Sequence, residues 1–271
     1  MSYAITMRIR TSTKNILIAS FVIGFIFLVY VAWVSMGRPA DVSRGVSVNN
    51  THAIAPSTTS ALNAPPEEER LAIMKLGKGT FNASVESSAA APKLVSEWAD
   101  SGGGLVINGA YFNEDYTPSG LLIIDKKRIG TRKFDYDKSA ALVIKDGDVS
   151  IVNLKKEPRT RLESFDYVLQ SFPLLIDEGN NTIGVDSQKK ARRSAIGIDA
   201  VGNVYVIVSD SGDLSLYEFA EEIVKTGISF AKVLNLDGGP STGVYSNWNK
   251  ERVAIDSYTK VSSVVRFRKK S

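Results

Sequence analysis

The chain has 271 residues, of which 44% are hydrophobic and 23% charged, with a formal net charge of +4. That is the profile of a globular chain, and the length suits one sizeable domain or two small ones. It contains no cysteine, which excludes disulfides, thiol catalysis and cysteine-based zinc sites; its one histidine, His52, stands in a Pro/Ser/Thr-rich stretch, which argues against a Ser-His-Asp triad or a histidine-rich zinc site.

The N-terminal 15 residues carry Arg8, Arg10 and Lys14 and precede an uncharged apolar run, Ile16 to Val34. At about 1.5 Å per helical residue the run spans a hydrocarbon core of roughly 30 Å. Residues 16–36 are therefore expected to form a single transmembrane anchor. The positive-inside rule puts residues 1–15 in the cytoplasm and the rest on the outer side, periplasmic or cell-surface, with Tyr30 and Trp33 near the outer interface. The run is longer than the h-region of about 7–15 residues in a cleaved signal peptide, and no Ala-x-Ala-like sequence is evident after it. Residues 37–69 read as a spacer: Pro39, Pro56, Pro65 and Pro66 punctuate Ser, Thr, Asn and Ala, a composition that buries too little apolar surface to fold alone. Asn49, Asn82 and Asn180 begin N-x-S/T patterns, which matter only where exported proteins are glycosylated.

Residues 70–271 carry the patterning of a folded domain. Leu71 to Met74 suits a first strand. Ala91 to Asp100 suits a short helix with Leu94, Val95 and Trp98 on one face, ended by Gly102-Gly103-Gly104. Leu105-Val106-Ile107 reads as a buried strand that delivers Asn108 and Gly109. Two hairpins follow, Ala141–Ile144 with Val149–Leu154 around Asp146-Gly147, and Ala195–Ile198 with Val204–Val208 around Gly202-Asn203. Ser215 and Glu218 form a capping-box pattern; Leu216, Phe219, Ala220, Ile223 and Val224 then recur at helical spacing, and Gly227 suits the C-terminal cap. Ala231 to Leu236 is a further buried strand, and Val261 to Phe267 a closing one. Short turns and few helices predict an α+β domain of mixed, mainly antiparallel sheets. The basic cluster Arg266, Arg268, Lys269 and Lys270 reads as a solvated last strand. No basic stripe interleaved with aromatics runs through the domain, so no nucleic-acid partner is expected.

Three segments carry candidate chemistry. Asn108-Gly109-Ala110-Tyr111-Phe112-Asn113 leads on to Pro118-Ser119-Gly120-Leu121. Asn235-Leu236-Asp237-Gly238-Gly239-Pro240-Ser241-Thr242 places a carboxylate, two glycines and two hydroxyls at a strand end. Glycines there allow close backbone approach, and successive amides can hold an anion, although Asp-Gly-Gly is also an ordinary turn. In Arg192-Arg193-Ser194-Ala195-Ile196-Gly197, arginine offers a planar fork for phosphate. Lys189 and Lys190 read as a surface charge run, whereas Arg193 leads straight into a strand.

Taken together, these segments resemble the phosphodiester glycosidase family, that of the enzyme which uncovers mannose 6-phosphate tags. The matching pieces, in order, are NGAYF with the later GL, QSFPLL, RSAIG, and LSLYEFAEEIVKTG leading into NLDGGPST, over about Val106 to Val244. Relatives often have glycine at the position of Phe172, which implies a reshaped pocket wall here. The resemblance implies hydrolysis of a sugar-1-phosphodiester to free sugar and phosphomonoester on cell-envelope or exopolysaccharide-type glycans. It implies that Arg193 and the amides of Gly238 and Gly239 hold the phosphate, and that Asp237 is the acid/base or nucleophile. Asn108 and Ser241 would orient the substrate, with Gly109, Phe112, Gly120 and Thr242 as further binding positions. Asp199 and Asp210 flank a hairpin strand as candidates for a second carboxylate. No cofactor is required; a hard divalent ion, calcium or magnesium, stays open through carboxylates and carbonyls, with no ligand spacing that demands one. The rival readings are a non-catalytic module binding glycans or sugar phosphates, and a structural protein of the cell envelope.

Overall fold

Alternating and continuous apolar runs set the strands. The chain's computed structural model describes residues 70–99, 104–130, 135, 137–248 and 252–270, all within the compact unit Asn63–Ser271. In chain order these form β1 (Ala72–Leu76), β2 (Phe81–Ser87), α1 (Val95–Trp98), β3 (Leu105–Asn108), β4 (Leu122–Ile124), β5 (Lys127–Ile129), β6 (Ala140–Lys145), β7 (Asp148–Asn153), β8 (Tyr167–Ser171), β9 (Leu174–Asp177), β10 (Asn180–Asn181), β11 (Ala191–Asp199), β12 (Val204–Leu214), α2 (Leu216–Lys225), β13 (Phe230–Asn235), β14 (Val244–Ser246), β15 (Val253–Ile255) and β16 (Ser263–Lys269). The anchor, the spacer, His52 and Asn49 lie outside the described residues. Among the described residues no helix is long and apolar enough to cross a membrane.

The strands make one six-stranded sheet, β1-β12-β11-β13-β9-β10, and two five-stranded sheets, β15-β14-β3-β16-β2 and β5-β4-β8-β6-β7. Every strand pairing within them is antiparallel. One core cluster draws on all three sheets, through Leu76 and Val206, Ile107 and Phe267, and Leu142 and Ile144. Strands in its middle, such as β6, are buried along nearly their whole length and read as continuous apolar sequence, while β2 alternates in the manner of a half-exposed strand.

Helix α2 forms as its pattern dictates. The Ser215 hydroxyl accepts from the Glu218 N–H at 3.1 Å, and the Glu218 carboxylate accepts from the Ser215 N–H at 2.8 Å. Gly227 follows the helix at φ 72°. Phe219, Ala220 and Ile223 are fully buried against Leu175, Ala195, Tyr205 and Ile207 of the six-stranded sheet. Burying Phe219 and Ile223 contributes about 1.5–3 kcal/mol each.

The helix expected over 91–100 shrinks to the single turn of α1. Lys93 instead exchanges backbone hydrogen bonds with Val261. The Ser257 hydroxyl and the Asp256 carboxylate accept the N–H groups of Val95 and Ser96. These distant partners fix the segment where its own periodicity promised more helix. The hairpin turns at Asp146-Gly147 and Gly202 adopt positive φ as turn chemistry requires. The β4–β5 hairpin lacks glycine in its turn and has Asp125 and Lys126 at φ 49° and 62°.

Candidate active site

β13 and β11 lie side by side, with Asn235 opposite Ala195. β3 belongs to a different sheet. The segment just after β13 joins the two: the Leu236 N–H donates to the Ser194 carbonyl at 2.9 Å, and the Asp237 N–H donates to the Gly109 carbonyl at 3.1 Å. The Asp237 carbonyl accepts from both the Asn108 amide and the Ser194 hydroxyl at 2.7 Å. Asp237 is thus fixed at both ends of its peptide.

The Asp237 carboxyl is half-buried. Burial holds its pKa above the usual carboxylate range, against the opposing pull of the Ser241 hydroxyl and the Gly238 N–H. Gly239 follows at φ 59°, a conformation that suits glycine; a side chain there would meet nothing. Gly238 answers a different need. A methyl group on it would come within 3.0 Å of the Arg192 carbonyl and 3.7 Å of Arg193 Nη1.

The register of β11 against β12 slips between Ala191 and Arg193, so that Ala191 faces Leu214 and Arg193 faces Ser209. This irregularity re-aims two adjacent arginines. Arg192 donates through Nε to Asp210 at 2.5 Å and through Nη2 to the Asp256 carbonyl at 2.9 Å, and lies 4.1 Å from the ring centroid of Tyr258. Arg193 donates to the carbonyls of Leu214 and Lys189 at 3.1 and 2.5 Å. It is buried and, among the described residues, forms no ion pair with a carboxylate. Burial lowers its pKa, countered by the nearby Tyr111 phenol, yet a guanidinium keeps its charge.

Tyr111 sits within electrostatic reach of both charged groups. Burial, then the charge of Asp237, pushes its phenol well above the ordinary range, while Arg193 and the Asn235 amide pull the other way. Asn235 Nδ2 donates to the Tyr111 hydroxyl at 2.8 Å and to the Phe172 carbonyl at 3.1 Å. Among the described residues, Asn235 Oδ1, Thr242 Oγ1 and Arg192 Nη1 are buried without hydrogen-bond partners, and all three belong to segments that converge on Asp237.

The structure therefore brings together Asp237, Gly238, Gly239, Ser241, Thr242 and Arg193. It gives the other expected site residues different work. Asn108 is fully buried and its amide is engaged by main chain: Nδ2 donates to the carbonyls of Gly109 and Asp237, and Oδ1 accepts from the Gly243 N–H. These contacts hold the loop in place. Gly109 is glycine because a Cβ would lie 2.2 Å from Ser263 Oγ, and Gly120 because a Cβ would lie 2.9 Å from Lys138 Cδ. Phe112 stacks on Tyr116 and packs beside the Val95, Trp98 and Val264 cluster. Asp199 closes its own turn, accepting from Val201, Asn203 and Tyr205 at the far end of β11. Asp210 is taken by Arg192. Among the described residues no group of three or more carboxylates or imidazoles gathers to hold a metal ion. Tyr111, Ser194 and Asn235 escape sequence reasoning although they stand inside the motifs, since neutral polar residues at strand ends carry no charge or spacing signal.

The family model for phosphodiester glycosidase matches residues 101–266. Among solved structures the chain is similar to the zebrafish N-acetylglucosamine-1-phosphodiester alpha-N-acetylglucosaminidase catalytic domain auto-inhibited by its pro-peptide, at 16% identity and a TM-score of 0.55, over 77% of this chain and 85% of that one. It is also similar to a hypothetical protein from Synechocystis, at 15% identity and a TM-score of 0.52, over 74% of this chain and 59% of that one. A search of curated proteins found no match. The two solved structures speak for the fold, and the family match spans more than half of the sequence: the chain belongs to the phosphodiester glycosidase family.

Proposed function

We propose that the chain hydrolyses a sugar-1-phosphodiester to free sugar and a phosphomonoester, acting on cell-envelope or exopolysaccharide-type glycans from the outer side of a membrane to which residues 16–36 anchor it. The observation that carries this reading is Arg193, a buried guanidinium with no carboxylate partner among the described residues, whose Nη1 lies against Gly238 of the loop that also carries the half-buried Asp237 carboxyl. A buried cation without a counter-charge is costly unless an anion completes it. Phosphate is the anion that a guanidinium and glycine amides suit best.

In the reaction the bond between the anomeric carbon and the bridging oxygen breaks. The bridging oxygen leaves with the phosphomonoester, a water oxygen joins the anomeric carbon, and one water proton passes to the leaving group or to solvent. Arg193, with the Gly239 N–H, takes up the charge that grows on the departing phosphate, while the Gly238 N–H stays with the Asp237 carboxyl. Asp237 serves the anomeric side as base or nucleophile. Ser241 favours its ionised form. Asn108 and Ser194 position its peptide. No cofactor enters this scheme, and a calcium or magnesium ion on the phosphate would be compatible with it.

The test is release of free sugar from a panel of alkyl sugar-1-phosphodiesters by the purified full-length chain, with and without chelator. Release that disappears in Asp237→Asn and in Arg193→Ala is expected. No release from any substrate, alongside measurable binding of the same compounds, would instead favour a binding module.

A further inference from the structure

Phe172 is 36% exposed, one of two aromatic side chains among the exposed large hydrophobic residues described. A single exposed apolar residue is ordinary. What distinguishes Phe172 is how firmly it is held, and where. Its ring lies 4.8 Å from that of Tyr111, tilted by 37°. Its carbonyl and the Tyr111 hydroxyl both accept from the one Asn235 amide. Beneath the pair, Lys138 Nζ stands 5.0 Å from the Phe172 ring and 5.8 Å from the Tyr111 ring. Lys138 is buried and bridged to Asp135 at 2.8 Å, so its charge is already answered. Glycine at position 120 lets the Lys138 stem pass. The same Tyr111 lies within the field of Asp237 and Arg193.

We infer that Phe172, its ring backed by that of Tyr111, is a stacking platform for the pyranose ring of the substrate and the specificity-determining residue. This rests on the glycosyl-phosphodiester reading of the same site. One face of a pyranose is lined with C–H groups. It gains most from a rigid, electron-rich aromatic face that has no conformational freedom left to lose on binding. Asn235, two residues before Asp237, holds both Tyr111 and the Phe172 carbonyl, so a sugar phosphate spans the platform and the loop, whereas inorganic phosphate reaches only Arg193 and the loop.

The experiment is calorimetric binding of glucose 1-phosphate, N-acetylglucosamine 1-phosphate and inorganic phosphate to the full-length chain and to its Phe172→Ala, Phe172→Leu and Phe172→Trp variants, with hydrolysis scored separately. In wild type, at least one sugar phosphate should bind more tightly than phosphate. Phe172→Ala and Phe172→Leu should each weaken that sugar phosphate about tenfold while phosphate stays within about twofold, and Phe172→Trp should keep the preference. Equal losses for sugar phosphate and phosphate, no loss in either variant, or a wild type that does not distinguish the ligands would overturn the platform. Preserved discrimination without hydrolysis of any phosphodiester would remove the proposed reaction and leave the platform standing.

Discussion

The side-chain amide of Asn108, at the end of β3, donates at 2.7 Å to the main-chain carbonyl of Asp237, which follows β13 of a different sheet. The contact fixes the candidate carboxylate through its backbone and leaves its side chain untouched. Replacing Asn108 by Ala strands the Gly243 N–H, which Asn108 Oδ1 accepts, and removes one of two donors to the Asp237 carbonyl. The expected destabilisation is about 1–3 kcal/mol. Asn108→Asp is expected to be worse than Ala despite its near-identical shape, because it turns a carboxylate oxygen toward two carbonyls. Thermal denaturation of the pair decides this; a milder loss for Asp than for Ala would contradict the assignment.

Gly109→Ala tests the closeness of β16 to the same loop. The added methyl would meet Ser263 Oγ at 2.2 Å and the Ser263 carbonyl at 2.9 Å. Overpacking of this kind costs about 1–3 kcal/mol. Combining it with Ser263→Ala should recover only part of the loss, since the carbonyl clash persists. Full recovery, read from denaturant midpoints, would show that the backbone there has room to shift.

Arg193→Lys keeps the charge and loses the fork. Charge-assisted hydrogen bonds are worth about 1.5–3 kcal/mol each, so inorganic phosphate should bind roughly 10- to 100-fold more weakly to this variant by calorimetry. Arg193→Ala should bind it more weakly still. Equal affinity in wild type and Arg193→Ala would separate Arg193 from the anion site.

How much of this was legible in the sequence depended on whether the cause was local. The α2 cap and stripe, the Asp146-Gly147 turn and the Asp237-Gly238-Gly239 strand end could all be read, because each is set by neighbours within four residues. The short α1 could not, since Ser257 and Asp256 define it from about 160 residues away. The all-antiparallel pairing was legible only as a tendency. Within the site, the charged Asp237 and Arg193 announced themselves, whereas the structural duties of Asn108, Gly109 and Gly120 follow from β16, Lys138 and Gly243, which sequence spacing does not connect to them. The Tyr111–Phe172 pair was likewise hidden, being joined only through Asn235.

Asp237 ties stability to activity in a way that pH can separate. Its folded-state pKa is raised by burial, so the native state holds the proton more tightly than the unfolded chain does. Its contribution to stability is therefore fully present below the ordinary carboxylate pKa and is lost as pH rises through the raised folded value. Asp237→Asn is neutral at every pH and escapes that loss. The variant should melt at or above the wild-type temperature at neutral pH, and its advantage should vanish in acid. Turnover should fall about a thousandfold or more in the same protein, as for other reactive side chains. In wild type, an Asp237 acting as base or nucleophile makes kcat/KM rise with pH through a midpoint above the ordinary carboxylate range, and one acting as general acid makes it fall there. A melting temperature lowered by Asp237→Asn at neutral pH would mean that the ionised carboxylate stabilises the fold, and would return Asp237 to the role of a turn residue.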